Sequence, residues 1–203
     1  MEKFTKLSGV AAPFTRINVD TDLIIPAEYL KTIRRTGLGK HLFSYIRYND
    51  DGSQKKEFIL NKAHYKKSII LITGKNFGCG SSREHAVWAL KDFGIKCLIG
   101  AEFADIFYNN CFKNGILPII LDQSYIDKIV KKISFEKTSI LNVNLEKQII
   151  TIAYDEFLKF KIDPYRKKCL LEGADDITLT LNKDSLISKF ESNLKKKFPW
   201  LDR

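Results

Sequence analysis

Six short apolar runs punctuate the chain: SIILIT (68–73), KCLIG (96–100), GILPIIL (115–121), SILNVNL (139–145), QIITIAY (148–154) and ITLTL (177–181). All are short and rich in β-branched residues, so each predicts a strand. NLEKQ, between the fourth and fifth runs, predicts a hairpin turn. Other stretches repeat at helical spacing. Residues 82–93 carry Ala86, Ala89, Leu90 and Phe93 on one face, and Gly94 follows as a stop. Residues 103–113 form a second helical pattern, ended by Asn114-Gly115. Further helices are predicted over 125–133, 164–171 and 184–197. Pro164 suits a first helical turn, with Asp163 as its cap.

Strands alternate with helices in the middle of the chain and then follow one another directly. That order predicts an α/β fold with a mixed sheet and flanking helices. No repeat, low-complexity segment or Pro/Gly linker divides the 203 residues, so they read as a single domain, 1–203. The first 65 residues are less regular. NVDTDLIIPAEYLKTIRRTGLGKHLF reads as a long ordered loop with short helices, and long loops in compact domains tend to carry function.

Composition changes this picture little. Hydrophobic residues make up 44% and charged residues 29%, as in ordinary globular chains. No apolar run approaches the roughly 20 residues that span a bilayer. The N-terminus lacks the apolar core of a signal peptide, so a cytoplasmic protein is expected, with no membrane partner. The net charge is +10, but the basic residues are scattered as pairs, with one longer cluster at 195–197. They read as solvated faces. A basic RNA-binding module is the rival from another class, and no RNA-recognition signature supports it; no nucleic-acid partner is expected. An anionic substrate or an acidic partner remains compatible with the charge. The four cysteines form no CxxC pair, and no His-x-x-x-His occurs, so a self-contained zinc or iron–sulfur site is not expected.

The candidate chemistry sits in GKNFGCGSSREHAVWAL (74–90). A strand runs into a glycine turn and then into a helix, so backbone N–H groups and the positive helix end face whatever lies above the turn. Such a seat attracts carboxylate or phosphate. P-loop, dinucleotide and hydrolase-elbow patterns do not fit these residues. SSRE has the form of a capping box, with Ser81 as N-cap and Glu84 three residues on. Arg83 is not explained by capping, because a cation in the first turn opposes the helix dipole. It makes sense as a bidentate clamp on an anion, with Ser82 as a further donor. His85 reads equally well as a structural or a catalytic histidine.

NFGCGSSREHAVWAL, followed by FADIFYNNCFKNGILPI, resembles the small subunits of 3-isopropylmalate dehydratase, in the aconitase superfamily. The likeness extends upstream through NVDTDLIIPAEYLKTIRRTGLGKHLF and downstream through IDPYRKKCLLEGADDITLTL, covering nearly the whole chain in order. Val87 departs from the pattern, standing where many relatives have proline. The resemblance implies a swivelling β/β/α domain like the C-terminal, fourth domain of aconitase. It implies interconversion of 2-isopropylmalate and 3-isopropylmalate by dehydration and rehydration, in leucine biosynthesis. It also implies a large-subunit partner carrying a [4Fe-4S] cluster, with no cofactor or metal on this chain. By the same analogy Ser81 is the catalytic base and Ser82 and Arg83 bind a substrate carboxylate. A specificity loop lies near 26–40, where Leu30 is expected to meet an isopropyl group and Lys31, Arg34 or Arg35 a distal carboxylate. A plain surface role for each of these four is an equal alternative. Asp20, Thr21 and Asp22 read as turn builders. Small subunits of homoaconitase or of a citramalate/methylmalate-type dehydratase are the nearest alternatives.

Overall fold

The computed structural model describes residues 1–80, 83–135, 139–153 and 156–201. In chain order the elements are β1 (Lys6–Phe14), α1 (Thr21–Ile24), α2 (Ser44–Arg47), β2 (Ile70–Thr73), α3 (Glu84–Phe93), β3 (Cys97–Gly100), α4 (Asp105–Lys113), β4 (Leu117–Ile120) and α5 (Gln123–Phe135). They continue with β5 (Ile140–Asn144), β6 (Ile149–Ala153), β7 (Glu156–Lys159), α6 (Pro164–Glu172), α7 (Asp176–Leu181) and α8 (Asp184–Lys197). Short 3₁₀ turns cover Ala27–Leu30, Gly39–His41, Ile59–Asn61 and Pro199–Leu201. No described helix is long and apolar enough to cross a membrane.

One seven-stranded sheet runs in the order β4-β3-β2-β1-β5-β6-β7. Strands β1 to β4 are mutually parallel, and β5, β6 and β7 are antiparallel to their neighbours. Strand β1 joins the two halves. Its first part, Lys6 to Val10, pairs with β5, and its second part, Ala11 to Phe14, pairs with β2. Residues 70–73 and 97–100 are buried throughout, as expected of parallel strands covered on both faces. Alternation then divides the core. Leu71 and Leu98 join one cluster with Phe77, Leu90 and Phe107, under α3 and α4. Ile70, Ile72 and Ile99 join the other with Ile126, Ile129 and Leu170, under α5 and α6.

The mixed α/β sheet agrees with the sequence reading, and so do the hairpin after β5 and the Asp163 cap, whose carboxylate accepts from the Arg166 N–H at 3.0 Å. Three elements differ. ITLTL is helix α7, not a strand: Asp175 accepts from the Thr178 backbone N–H at 2.9 Å and its hydroxyl at 2.7 Å, and this cap starts a helix in residues of strand propensity. Strand β1 arises inside the region read as irregular, and β7 was not foreseen.

The rest of residues 15–65 is tied down closely. Arg47 is buried, donates to Asn61 Oδ1 at 3.0 Å and Gly39 O at 3.3 Å, and lies 4.8 Å over the Phe93 ring. Gly39 N–H donates in turn to Asp92 Oδ2 at 2.7 Å. The long loop is thereby fastened to the C-terminal end of α3.

Candidate active site

Three loops meet where β1, β2 and β3 end. Val19 O accepts from Gly78 N–H at 2.7 Å and from Cys79 N–H at 3.2 Å, and Thr21 N–H donates to Cys79 O at 2.9 Å. On the other side Phe77 N–H donates to Glu102 O at 3.3 Å, and Ala104 N–H to Phe77 O at 3.0 Å. The glycine turn is therefore stitched between the loop after β1 and the loop after β3. Ligands of open α/β sheets bind outside the carboxyl ends of parallel strands, which is where this junction lies.

Glycine is required at position 78. Its φ is +79°, and a Cβ there would overlap the Phe107 ring. Behind the turn, Phe77 meets Phe14, Phe103 and Phe107 at centroid distances of 6.4, 6.5 and 5.5 Å, so the backbone rests on an aromatic bed. In front of it lies a cavity of about 210 Å³. Thr21, Gly78, Gly80 and Arg83 line one side, and residues 104–107, where α4 begins, line the other. The N-terminal end of α4, the positive end of its dipole, borders this space.

Arg83 stands at the N-cap position of α3, in extended conformation, and makes no side-chain cap bond. Its Nη1 donates to Asp22 Oδ1, forming a half-buried ion pair across the junction. One guanidinium edge is thus anchored by a carboxylate, in a side chain with five N–H donors. Ser81 and Ser82 lie outside the described residues. Helix α3 has its N-cap at Arg83, and Glu84 Oε1 accepts from Asn114 Nδ2 at 2.8 Å and Trp88 Nε1 at 3.3 Å; the Ser81 half of the expected capping box lies outside the described residues. Buried Asn114 also accepts from Trp88 Nε1, at 3.0 Å.

His85 connects this helix to the loop near 26–40. Its Nε2 is 3.0 Å from Thr32 O, and its ring stacks obliquely on Trp88 with centroids 4.4 Å apart. The Arg35 guanidinium covers the other part of that arrangement, 5.2 Å from the Trp88 ring centre. Lys31, Arg34 and Arg35 are exposed, whereas Leu30 packs against the core cluster under α3. The structure therefore brings the loop to the opening of α3 without joining Lys31 and Arg34 to Arg83.

Asp20 does what a turn builder does, accepting from Leu23 N–H at 2.7 Å. Asp22 does not. Its partner is 61 positions away, so no local pattern marks it. Cys79 is half-buried, while Cys97 and Cys111 are buried and burial pushes both thiols well above their ordinary range. Among the described residues no group of three His, Cys, Asp or Glu side chains could hold a metal ion.

Residues 1–124 match the aconitase C-terminal domain model. A protein of Parvibaculum lavamentivorans named 3-isopropylmalate dehydratase small subunit is 55% identical over 99% of this chain and 100% of its own length. The chain belongs to the 3-isopropylmalate dehydratase small-subunit family. A small subunit from Rhizobium rhizogenes is 56% identical over 98% of this chain and 99% of its own length. The family's C-terminal domain model matches residues 176–203. A crystal structure of 3-isopropylmalate dehydratase from Methanocaldococcus jannaschii superposes with a TM-score of 0.66 at 31% identity, covering 92% of this chain and 99% of that one.

Proposed function

We propose that this chain is the small subunit of a two-subunit 3-isopropylmalate dehydratase. In this reading it helps interconvert 2-isopropylmalate and 3-isopropylmalate through 2-isopropylmaleate, for leucine biosynthesis in the cytoplasm. The observation that carries the proposal is the end-to-end identity with proteins of that name, 55% over 99% of the chain in one case. The anion seat around Arg83 supplies chemistry that the reaction needs. Removing a proton beside a carboxylate leaves negative charge that must be stabilised, and a planar guanidinium does this well.

Ser81 takes the proton in this reading, and Ser82 and Arg83 hold a substrate carboxylate. Asp22 fixes one edge of Arg83, so the other edge is presented to substrate in a set direction. In this reading the loop that His85 holds at Thr32 brings Leu30 toward the isopropyl group and one of Lys31, Arg34 or Arg35 toward a distal carboxylate. Expelling hydroxide needs a Lewis acid. In this reading a [4Fe-4S] cluster on the large subunit would supply it.

Co-expression with a candidate large subunit and anaerobic cluster reconstitution test this. The assembled enzyme should isomerise 2-isopropylmalate faster than it turns over homocitrate or citramalate, and this chain alone should be inactive. Preference for either rival acid would reassign the substrate. Ser81→Ala should leave the complex assembled and abolish turnover; retained turnover would remove Ser81 as the base.

A further inference from the structure

Helix α8 stands apart from the rest of the fold. It contributes no residue to either core cluster, and its principal contact is the short turn Pro199–Leu201 that follows it. Leu186 and Phe190 are 66% and 65% exposed, and Trp200, beyond the helix, is 71% exposed. Leu186, Ile187, Phe190 and Leu194 fall at the spacing that places them on one face of a helix. The opposite face carries Ser188, Ser192, Lys195 and Lys196. A fourteen-residue helix with one apolar face gains its stability in water mainly by burying that face. Among the described residues Leu194 is partly covered, while Leu186 and Phe190 remain largely exposed.

The comparisons say which occupant to expect. The model shared with aconitase ends at residue 124, and residues 126–170 complete the second core cluster against that body. Residues 176–203 match a model specific to the small subunits. Within that segment, the Leu186 and Phe190 side chains of α8 are taken up by neither core cluster. We infer that the Leu186–Phe190–Leu194 face of α8, extended by Trp200, is a docking surface for the large subunit. This rests on the two-subunit reading given above. The surface is an amphipathic helix whose apolar face fits an apolar groove on the partner.

The test uses the full chain and the large subunit. A Leu186→Asp/Phe190→Asp double variant should bind the large subunit on the order of a hundredfold more weakly. Ser188→Asp/Ser192→Asp, on the opposite face, should bind like the parent. Amide exchange across 183–201 should slow when the parent complex forms. The inference is overturned if the apolar-face variant keeps parental affinity, or if exchange across 183–201 is unchanged in the complex. It is also overturned if the isolated chain proves to be a dimer that the same variant dissociates, because a second copy then covers the face. Failure of the unaltered chain to bind any large subunit would instead refute the two-subunit reading itself.

Discussion

Gly78 and Gly52 have nearly the same backbone, φ +79° and +80°, in different surroundings. A Cβ at Gly52 would meet nothing within 4 Å, whereas at Gly78 it would overlap Phe107. Gly52→Ala should cost about 1 kcal/mol, the strain of a left-handed alanine. Gly78→Ala adds overpacking against a buried ring and should cost about 3 kcal/mol. Urea unfolding of the two variants measures the difference; equal losses would show that the Phe107 contact is unimportant. Arg83 and Asp22 make the second comparison at this scale. Arg83→Lys keeps the charge and loses the planar fork, so KM for isopropylmalate should rise at least about tenfold with the complex intact. Asp22→Asn should raise KM in the same direction, because the guanidinium then loses its fixed edge. Unchanged KM in the Asp22 variant would leave that ion pair a purely structural role. Arg83 was conspicuous in the sequence because a first-turn cation is out of place. Asp22 was not, because an aspartate in a turn has an ordinary local explanation.

Among the elements, α7 shows how a single cap outweighs propensity. Ile177, Thr178, Leu179, Thr180 and Leu181 alternate as a strand would. The Thr178 hydroxyl and backbone N–H both donate to Asp175, and these bonds lower its carboxyl from an ordinary value of 3.8 to about 2. The folded value lies below the unfolded one, so the contribution of this cap is complete above about pH 4 and is lost as pH falls through about 2. Amide exchange over 176–181 should therefore accelerate across that window before the sheet unfolds. Asp175→Asn should exchange faster at neutral pH and show little further change on acidification. Strand β1 misleads in the opposite sense. KLSGVAAPF contains a glycine, two alanines and a proline, and only one β-branched residue, Val10. It is a strand because two neighbours pair with it. Pro13 is tolerated because β5 has stopped pairing at Val10, so a missing N–H on that side breaks no ladder bond.

For the molecule as a whole, α8 contributes to neither core, so a chain ending at Asn182 should melt within about 2 °C of the full chain. A larger drop in Tm would mean that the segment stabilises the isolated fold. The sequence by itself determined the middle of the sheet and the helices around it, and singled out Arg83 as the candidate anion clamp. These are local matters: runs of β-branched residues, helical spacing, stop glycines, and one arginine placed against a helix dipole. Tertiary structure alone decided the rest. Pairing on both sides made a strand of β1, and the Glu84 carboxylate went to Asn114, thirty positions on, as well as to Trp88; the Asp175 cap that makes a helix of ITLTL is by contrast local. Tertiary structure also brought Asp22 to Arg83 and His85 to Thr32, across 61 and 53 positions. Such contacts depend on which strand ends converge in space, and residue pattern is read only over the few turns of chain in which neighbours in sequence are also neighbours in space.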